Sequence, residues 1–200
     1  MTRNLEDQIL IERALAGDQQ AYEGLVFKHQ KLAARVALRI TRRRELVEDV
    51  VQEVFIKAFE NLGRFRRRSG FVTWLYRIAV NESLSALRRE KTRMKLFEKG
   101  EPDLANLPDS LLCYDRESGE RMVLDREAQA AVREALDRLA PEMRAVLTLR
   151  YEEELSTPEI AEVLDVPEGT VRSRLYYARL ELAELLAPYM EAKTAVKEQK

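Results

Sequence analysis

Arginine, serine and tyrosine side chains recur between residues 172 and 179, and these residue types are common in contacts with DNA. Arg172, Tyr176 and Arg179 are spaced i, i+4 and i+7, so one helix would bring them to a single face, with Ser173 beside them. The guanidinium of arginine fits the O6 and N7 acceptors of guanine, and Ser173 and Arg174 are placed for phosphates or base edges. The spacing therefore predicts a helix that contacts duplex DNA.

A DNA-contacting helix needs a second helix to fix its orientation, and the preceding residues supply one. Residues 157–174 predict a short helix, a tight turn and a second helix, which is a helix-turn-helix. The first of these helices begins either at Ser156, which has capping-box spacing with Glu159, or at Thr157, which is followed by Pro158. The apolar positions of the second helix are expected to face the core; they are Val171, Leu175, Ala178 and Leu182.

Helical periodicity also covers the first half of the chain, where four helices are predicted. Gly17 ends the first helix and Asp18 caps the second. The third helix is the most regular, with apolar residues at helical spacing from 46 to 62, and the fourth follows Gly70. Two further helices, separated at Pro141, precede the helix-turn-helix, because proline suits the first turn of a helix.

The apolar periodicity gives specific expectations about burial in the first half. It places Leu5, Ile9 and Leu15 on the buried side of the first helix and Trp74 in the core. His29 follows a lysine in a basic stretch and is expected on the surface.

Composition limits the class of protein. The chain has 200 residues, 34% of them charged and 46% hydrophobic, with only 7 glycines and 6 prolines, which favours an all-α fold with long helices. One cysteine, Cys113, and one histidine exclude a disulfide framework and any zinc site made only of these residue types, so no metal or cofactor is expected. No apolar run approaches the length of a membrane span and the first residues do not form a signal peptide, so we expect a cytoplasmic protein.

The net charge is only −1, but the charges are segregated along the chain. Basic residues dominate 28–44 and 64–95, whereas acidic residues dominate 45–60 and 101–120. Local fields select partners, so the basic stretches predict contact with nucleic acid and the acidic third helix predicts contact with a basic protein surface. The acidic segment from 96 to 126 loses helical periodicity and contains Pro102 and Pro108, so it is predicted to be a flexible linker between two helical domains.

The segment from 61 to 70 combines an aromatic residue, basic residues and glycines. Opening a DNA duplex breaks base stacking, which is worth about 1.4 kcal/mol per step. A protein that uses no fuel must recover this free energy by binding unstacked bases and phosphates, and an extruded base needs a pocket with hydrogen bonds to its edge. Phe65 either contributes an aromatic surface for such a base or closes the edge of the core.

Three segments resemble those of bacterial RNA polymerase sigma factors. GTVRSR at 169–174 is similar to a signature of sigma region 4, DVVQEVFIKAF at 49–59 looks like the polymerase-binding helix of region 2, and FVTWLYRIAVN at 71–81 looks like the −10 element helix. With no third folded domain between them, the chain resembles the small extracytoplasmic-function (ECF) class, close to the sigma E type. The resemblance implies a region 2 domain at 1–95, the acidic linker at 96–126, a region 4 domain at 127–190 and a polar tail at 191–200.

The resemblance also implies roles for individual residues. A pocket for a flipped −10 base of the non-template strand would be lined by Asn61, Phe65, Ile78 and Asn81, and the amide of Asn81, which both donates and accepts, would recognise that base. The DNA backbone near the −10 element would be contacted by Arg64, Arg66, Arg67, Arg68 and Arg77. The −35 element would be contacted by Arg150, Arg172, Ser173, Arg174, Tyr176, Tyr177 and Arg179.

The implied partners are macromolecules. Asp49, Gln52 and Glu53 would bind the clamp of the polymerase β′ subunit, and region 4 would bind the β flap. An anti-sigma factor, often membrane-anchored, would hold the protein inactive until a stress signal. Tyr176-Tyr177 stands where close relatives tend to carry a second basic residue, so the preferred −35 sequence stays open.

Two other classes of function compete with this hypothesis. An ordinary helix-turn-helix regulator would dimerise and bind duplex DNA without polymerase, but the acidic helix followed by an aromatic and basic loop argues against it. An enzyme acting on nucleic acid or on a small-molecule substrate lacks support, because the sequence has no paired carboxylates in a metal site, no phosphate loop and no nucleophile with a partner histidine.

Overall fold

A computed structural model describes residues 2–65, 70–97 and 126–198, and every regular element in these ranges is helical. The predicted all-α fold is therefore confirmed. Most of the predicted linker, including Cys113, lies outside the described residues, as do Arg66, Arg67 and Arg68. None of the described helices has the length and apolar character that crossing a membrane requires.

The structure contains eight α-helices in the described residues: α1 (Thr2–Leu15), α2 (Gln19–Thr41), α3 (Val47–Asn61), α4 (Phe71–Phe97), α5 (Arg126–Arg138), α6 (Pro141–Leu147), α7 (Thr157–Leu164) and α8 (Glu168–Glu198). Short 3-10 turns at Arg44–Leu46 and Leu62–Arg64 flank α3, and a π-helical turn at Thr148–Glu152 follows α6. Contacts divide the chain into two compact units, the first containing α1 to α4 and the second containing α5, α6, α8 and most of α7.

Helix α2 is the centre of the first unit, because it packs against α1, α3 and α4. Its first turn is fixed by Asp18, whose carboxylate accepts a hydrogen bond from the Ala21 backbone N–H. Gly17, at a left-handed φ of 91°, ends α1, and its backbone N–H donates to the Ala14 oxygen. Both predicted capping roles are confirmed. The buried side of α2 is formed by Ala21, Leu25, His29, Ala33, Val36, Ala37, Ile40 and Thr41.

The side of α1 that packs against α2 is not the side that the apolar pattern predicts. Leu5, Ile9 and Leu15 are 60%, 50% and 52% exposed, so their expected burial is wrong, whereas Asp7 and Ile11 are buried. The physical reason is a polar contact between the two helices that outweighs the amphipathic pattern of a short helix.

The polar contact between α1 and α2 also involves His29, which is buried. The prediction that His29 lies on the surface is therefore wrong. His29 Nε2 lies 3.1 Å from Asp7 Oδ1, and the imidazole ring packs 5.3 Å from the ring of Phe71 at the start of α4. Lys28 Nζ lies 2.8 Å from the same carboxylate oxygen. Although burial alone would lower the pKa of Lys28, hydrogen bonds from its ammonium to Asp7 and Glu6 raise it. Position 29 follows Leu25 by four residues, so it lies on the buried stripe, and that spacing could have located it.

In the second unit, α8 packs against α5 and α6. Pro141 occupies the first turn of α6, as predicted. Arg144 of α6 is 7% exposed, and its Nη1 donates to the backbone oxygens of Leu136, Asp137 and Leu139 at 3.4, 3.3 and 2.7 Å. A guanidinium thereby satisfies carbonyl groups at the end of α5 that have no partner within that helix. Helix α8 extends to Glu198, into the predicted polar tail.

We predict that Arg144→Met lowers the local stability of the second unit, because the side chain keeps its bulk while buried carbonyl groups lose their donor. The expected loss is about 2 kcal/mol, which corresponds to roughly thirtyfold faster amide hydrogen exchange in α5 and α6. Exchange measured by mass spectrometry on the full chain checks this, with Arg138→Met, an exposed change on α5, as the control. Equal protection in the two variants would contradict the assigned role.

Candidate nucleic-acid and polymerase interfaces

Helices α3 and α4 form an open pocket of about 280 Å³. Its wall brings together three of the four residues predicted to surround a base, Asn61, Ile78 and Asn81. The pocket lies beside the end of α3 and the first three turns of α4. The full set of lining residues is Lys57, Asn61, Arg64, Trp74, Arg77, Ile78, Asn81 and Glu82.

The two asparagines of the pocket have different surroundings. The side-chain amide of Asn61 donates to the backbone oxygen of Lys57 at 2.9 Å, which fixes its orientation in the last turn of α3. Asn81 is exposed on α4, so its amide can meet a ligand that enters from solvent. One asparagine is therefore pre-oriented by the protein, and the other is accessible for hydrogen bonds in both directions.

Aromatic rings support one side of this pocket. Trp74 is half-buried and lines it, so the expectation of a core residue is wrong. Phe65, the fourth predicted residue, is half-buried behind Trp74, with ring centroids 5.2 Å apart, and it is 5.9 Å from Phe71. Phe71 in turn contacts His29, so the buried polar pair of α1 and α2 lies behind the aromatic side of the pocket.

Three basic side chains belong to the wall of the pocket. Arg64 is exposed and Arg77 is half-buried, and both line the pocket, as does Lys57. Lys57 and Glu82 were not among the residues predicted for this pocket. Lys57 Nζ lies 2.6 Å from Glu82 Oε1, and this ion pair joins α3 to α4. The signal in the sequence was weak: Lys57 is the one base in an acidic stretch, and Glu82 is one of two acids in a basic one.

Helix α3 presents an acidic surface away from its buried side. Asp49 and Gln52 are exposed and Glu53 is half-buried, and their spacing of i, i+3 and i+4 places them on one face. The core side of the same helix is formed by Val50, Val54, Phe55 and Ala58. The face defined by Asp49, Gln52 and Glu53 repels DNA phosphates and suits a basic protein surface.

The first helix of the helix-turn-helix begins with a reciprocal cap. Glu159 Oε2 accepts hydrogen bonds from the Ser156 backbone N–H at 2.8 Å and from its hydroxyl at 2.6 Å, and the Glu159 backbone N–H lies 3.4 Å from Ser156 Oγ. Ser156 is therefore the N-cap, which decides between the two starts left open by the sequence. These hydrogen bonds from Ser156 lower the pKa of the Glu159 carboxyl below its ordinary value of 4.5.

The second helix, α8, has the amphipathic arrangement that its sequence predicts. Val171, Leu175 and Ala178 are buried, and Leu182 is half-buried. Arg172, Tyr176 and Arg179 are exposed together with Ser173 and Tyr177. The turn before α8 includes Asp165 at a φ of 55°, a left-handed conformation that aspartate tolerates better than most residues.

The exposed side chains of α8 are held by neighbouring groups. Arg172 Nη2 lies 2.7 Å from Glu168 Oε2, one turn earlier, and both side chains are well exposed. Arg179 Nε donates to the Leu175 backbone oxygen at 3.1 Å. The rings of Tyr176 and Tyr177 meet edge to face, with centroids 5.4 Å apart. The arginines are thereby pre-oriented by weak contacts that a DNA ligand can displace.

Two predicted residues of this surface lie apart from the exposed face. Arg174 is half-buried, and two residues of helical rotation place it about 160° from Arg172. Arg150 is exposed in the π-helical turn, where its Nη1 donates to the Leu155 backbone oxygen at 3.0 Å. Neither shares the face of Arg172, Tyr176 and Arg179.

Comparison with known proteins follows the same two units. The chain matches Sigma-70 region 2 over residues 25–93 and Sigma-70 region 4 over residues 129–182. It is 38% identical over 185 residues to the RNA polymerase sigma-H factor of Pseudomonas aeruginosa, covering 92% of this chain and 96% of that one. The chain belongs to the sigma-70 family. It is also 36% identical over 188 residues to the ECF RNA polymerase sigma-E factor of Escherichia coli K12, covering 94% and 98% of the two chains.

Solved structures of other proteins agree with the fold of this sigma factor. CnrH, solved in complex with the cytosolic domain of CnrY, aligns with a TM-score of 0.63 at 28% identity over 92% of this chain and 98% of that one. The sigma factor RpoE of Bartonella quintana, solved with the anti-sigma factor NepR, aligns with a TM-score of 0.62 at 22% identity over 83% and 96%. The pocket therefore lies in region 2 of an ECF sigma factor, and the exposed face of α8 lies in region 4.

We predict that the stability of α7 falls as the pH is lowered through the folded-state pKa of Glu159. The folded-state pKa of Glu159 is below the unfolded value. The contribution of its carboxylate to the stability of α7 is therefore complete above about pH 5 and is lost on acidification below the ordinary value of 4.5. Glu159→Gln should remove this dependence. Hydrogen exchange of α7 amides between pH 6 and pH 3.5, corrected for intrinsic rates, checks it; an unchanged pH profile in the variant would contradict the role of the carboxylate.

Proposed function

We propose that this sigma factor directs RNA polymerase to promoters by binding a −35 element as duplex and a −10 element as a melted strand. The observation that carries the proposal is the pocket of region 2, whose wall contains Asn61, Ile78 and Asn81 together with basic side chains. Region 2 activity is assigned to 1–95 and region 4 activity to 127–190, with 96–126 as the linker and 191–200 as the tail.

The pocket supports capture of one unpaired base. Trp74 and Ile78 offer apolar surface to a base, and Asn81 offers both a donor and an acceptor to its edge. Arg64 and Arg77 are placed to neutralise phosphates on either side of it. A stacked duplex cannot deliver a base into such a pocket, so binding favours the melted strand.

The exposed face of α8 supports recognition of duplex DNA. Arg172 and Arg179 can reach base edges in the major groove, and Ser173, Tyr176 and Tyr177 border the same face. Arg150 and Arg174 do not share this face, so phosphate contacts at its margins suit them better than base contacts.

The acidic face of α3 supports binding to core polymerase. Asp49, Gln52 and Glu53 form a compact acidic and polar patch that complements a basic coiled coil such as that of the β′ clamp. Region 4 would bind the β flap, which places the two DNA-binding surfaces on one enzyme. The sigma factor then acts in the cytoplasm with polymerase, supplies specificity and leaves catalysis to the polymerase.

An inhibitory partner is part of the proposal. CnrH, which is 28% identical to this chain, was solved with the cytosolic domain of another protein. We infer that an anti-sigma factor, membrane-anchored on its other side, holds this chain inactive until a stress signal releases it.

In vitro transcription tests the proposal directly. Purified core RNA polymerase is incubated with fragmented genomic DNA, with and without the protein, and transcripts are mapped. Discrete transcripts that require the protein, with shared sequences upstream of their start sites, are expected. Duplex binding in the absence of polymerase, with no protein-dependent transcripts and no co-elution with core, would instead favour an independent regulator.

We predict that Asn81→Ala reduces discrimination among −10 sequences by roughly five- to a hundredfold, because one good base contact is worth about 1–3 kcal/mol. Co-elution with core polymerase should be unchanged. Initiation rates on promoters with single −10 substitutions provide the measurement. Ser85→Ala, one turn further along the same helix and outside the pocket, is the matched control. Equal discrimination by Asn81→Ala and the wild type would refute the role of the amide.

We predict that Arg172→Ala and Arg172→Lys separate charge from base recognition at the −35 element. Both should lose −35 discrimination, because only arginine has the planar fork that fits guanine. Arg172→Lys should keep the salt dependence of DNA binding, whereas Arg172→Ala should reduce its slope by about one unit. Binding of the holoenzyme to wild-type and −35-substituted promoters at several salt concentrations checks both; full discrimination by either variant would show that another residue recognises this element.

A further inference from the structure

Glu82 is a buried acid in the wall of the region 2 pocket, and its carboxylate is only partly satisfied. The residue is 4% exposed. Its Oε1 lies 2.6 Å from Lys57 Nζ, whereas Oε2 is buried and has no hydrogen-bond partner within the described part of the chain. Glu82 lines the pocket, so its carboxyl side chain belongs to the wall of the space proposed for a base.

An unsatisfied buried carboxylate oxygen is unfavourable, because burial removes its water without supplying a donor. Lys57 compensates the charge of Glu82, but one ammonium–oxygen contact leaves the second oxygen without a partner. Groups of this kind in native proteins call for an explanation, and a ligand that brings an N–H donor is one.

We propose that Glu82 determines which base the pocket accepts, by taking a hydrogen bond from an exocyclic amino group. This rests on the proposed function, since the occupant is the unpaired base of the −10 strand. Carboxylates accept from the N4 amino group of cytosine, and adenine carries an equivalent amino group at N6. Thymine and guanine carry a carbonyl oxygen at these positions, which would face the carboxylate acceptor to acceptor.

Lys57 gives the acid its orientation. Its ammonium holds Oε1, so Oε2 is the carboxylate oxygen that is left to accept a hydrogen bond from a base. The lysine side chain is itself 44% exposed, and its remaining N–H groups can donate to the ring nitrogen that adjoins the amino group in cytosine and adenine. Asn81, the preceding residue on α4, also lines the pocket and supplies a second contact to the base.

The experiment compares bases in which a carbonyl oxygen replaces this amino group, a change that also places a proton on the adjoining ring nitrogen. Promoters identified by transcription mapping are prepared as premelted fragments. Each non-template position of the −10 region is tested in turn with two pairs of nucleosides: deoxycytidine against deoxyuridine, and deoxyadenosine against deoxyinosine. Initiation by the full-length protein with core polymerase is measured. At one position the wild type should favour the amino base about tenfold or more.

Glu82→Gln should reduce this preference to less than about threefold, because the glutamine amide can also donate to a carbonyl oxygen. Glu90→Gln is the matched control. Glu90 lies on the same helix as Glu82 and is ion-paired with Arg43 and Arg93, but it lies outside the pocket. The Glu90→Gln variant should therefore keep the wild-type preference. A Glu82→Gln protein that initiates and retains the tenfold preference would overturn the proposal.

A measurement on the wild type alone covers the case in which Glu82→Gln does not fold. The base 2-pyrimidinone, which has neither amino nor carbonyl group at position 4, should initiate no better than a few times the deoxyuridine rate. Initiation equal to deoxycytidine would overturn the role of the amino group. If transcription depends on the protein but shows no preference for an amino base at any −10 position, this inference is overturned and the proposed function stands. If no transcription depends on the protein, the proposed function itself is contradicted.

Discussion

The side-by-side packing of α3 and α4 is the constraint on which the region 2 pocket depends. It brings Lys57 and Asn61 from one helix against Ile78, Asn81 and the acid Glu82 from the other. The ion pair between Lys57 and Glu82 is a poor source of stability, because desolvation offsets much of its Coulomb energy. The packing must therefore come from the apolar residues around α2, which contacts both helices. The partly satisfied ion pair between Lys57 and Glu82 is therefore better explained by contact with a base in the pocket than by a contribution to the stability of the fold.

Charge segregation lets a nearly neutral protein present surfaces of opposite charge. The net charge of −1 conceals an acidic face on α3 and basic side chains in the wall of the pocket, although both involve residues of the same helix. Asp49, Gln52 and Glu53 belong to the early turns of α3, whereas Lys57 and Asn61 lie at its end. A DNA strand and a basic protein surface are thus directed to different parts of one helix by local fields, and salt should weaken both contacts.

Local chemistry made much of this fold predictable, and packing between helices accounts for what was missed. The cap at Asp18 and the place of Pro141 in the first turn of α6 depend on neighbours within a few residues, so sequence spacing was enough to find them, whereas spacing left Ser156 and Thr157 as alternative starts of α7. The burial of His29 depends on Asp7, which is 22 residues away, and the same contact turns the apolar residues of α1 outward. Likewise, three pocket residues followed from the resemblance to known sigma factors, but the partnership of Lys57 with Glu82 joins residues 25 positions apart on two helices and leaves no periodic signal.

The two proposed DNA-binding surfaces differ in how tightly the protein prepares them, and this difference suits their ligands. Arg172 is held by an exposed ion pair with Glu168 that contributes little stability and can exchange for a base edge or phosphate as the helix enters a groove. In the pocket, Lys57 and Glu82 are held by their ion pair between α3 and α4, Asn61 is held by a hydrogen bond within α3, and Trp74 is supported by Phe65 and Phe71. A duplex presents its base edges without rearrangement, so adaptable side chains suffice for it. An extruded base has lost its stacking energy, and only a preformed pocket, which requires little further ordering, leaves enough binding free energy to offset that loss.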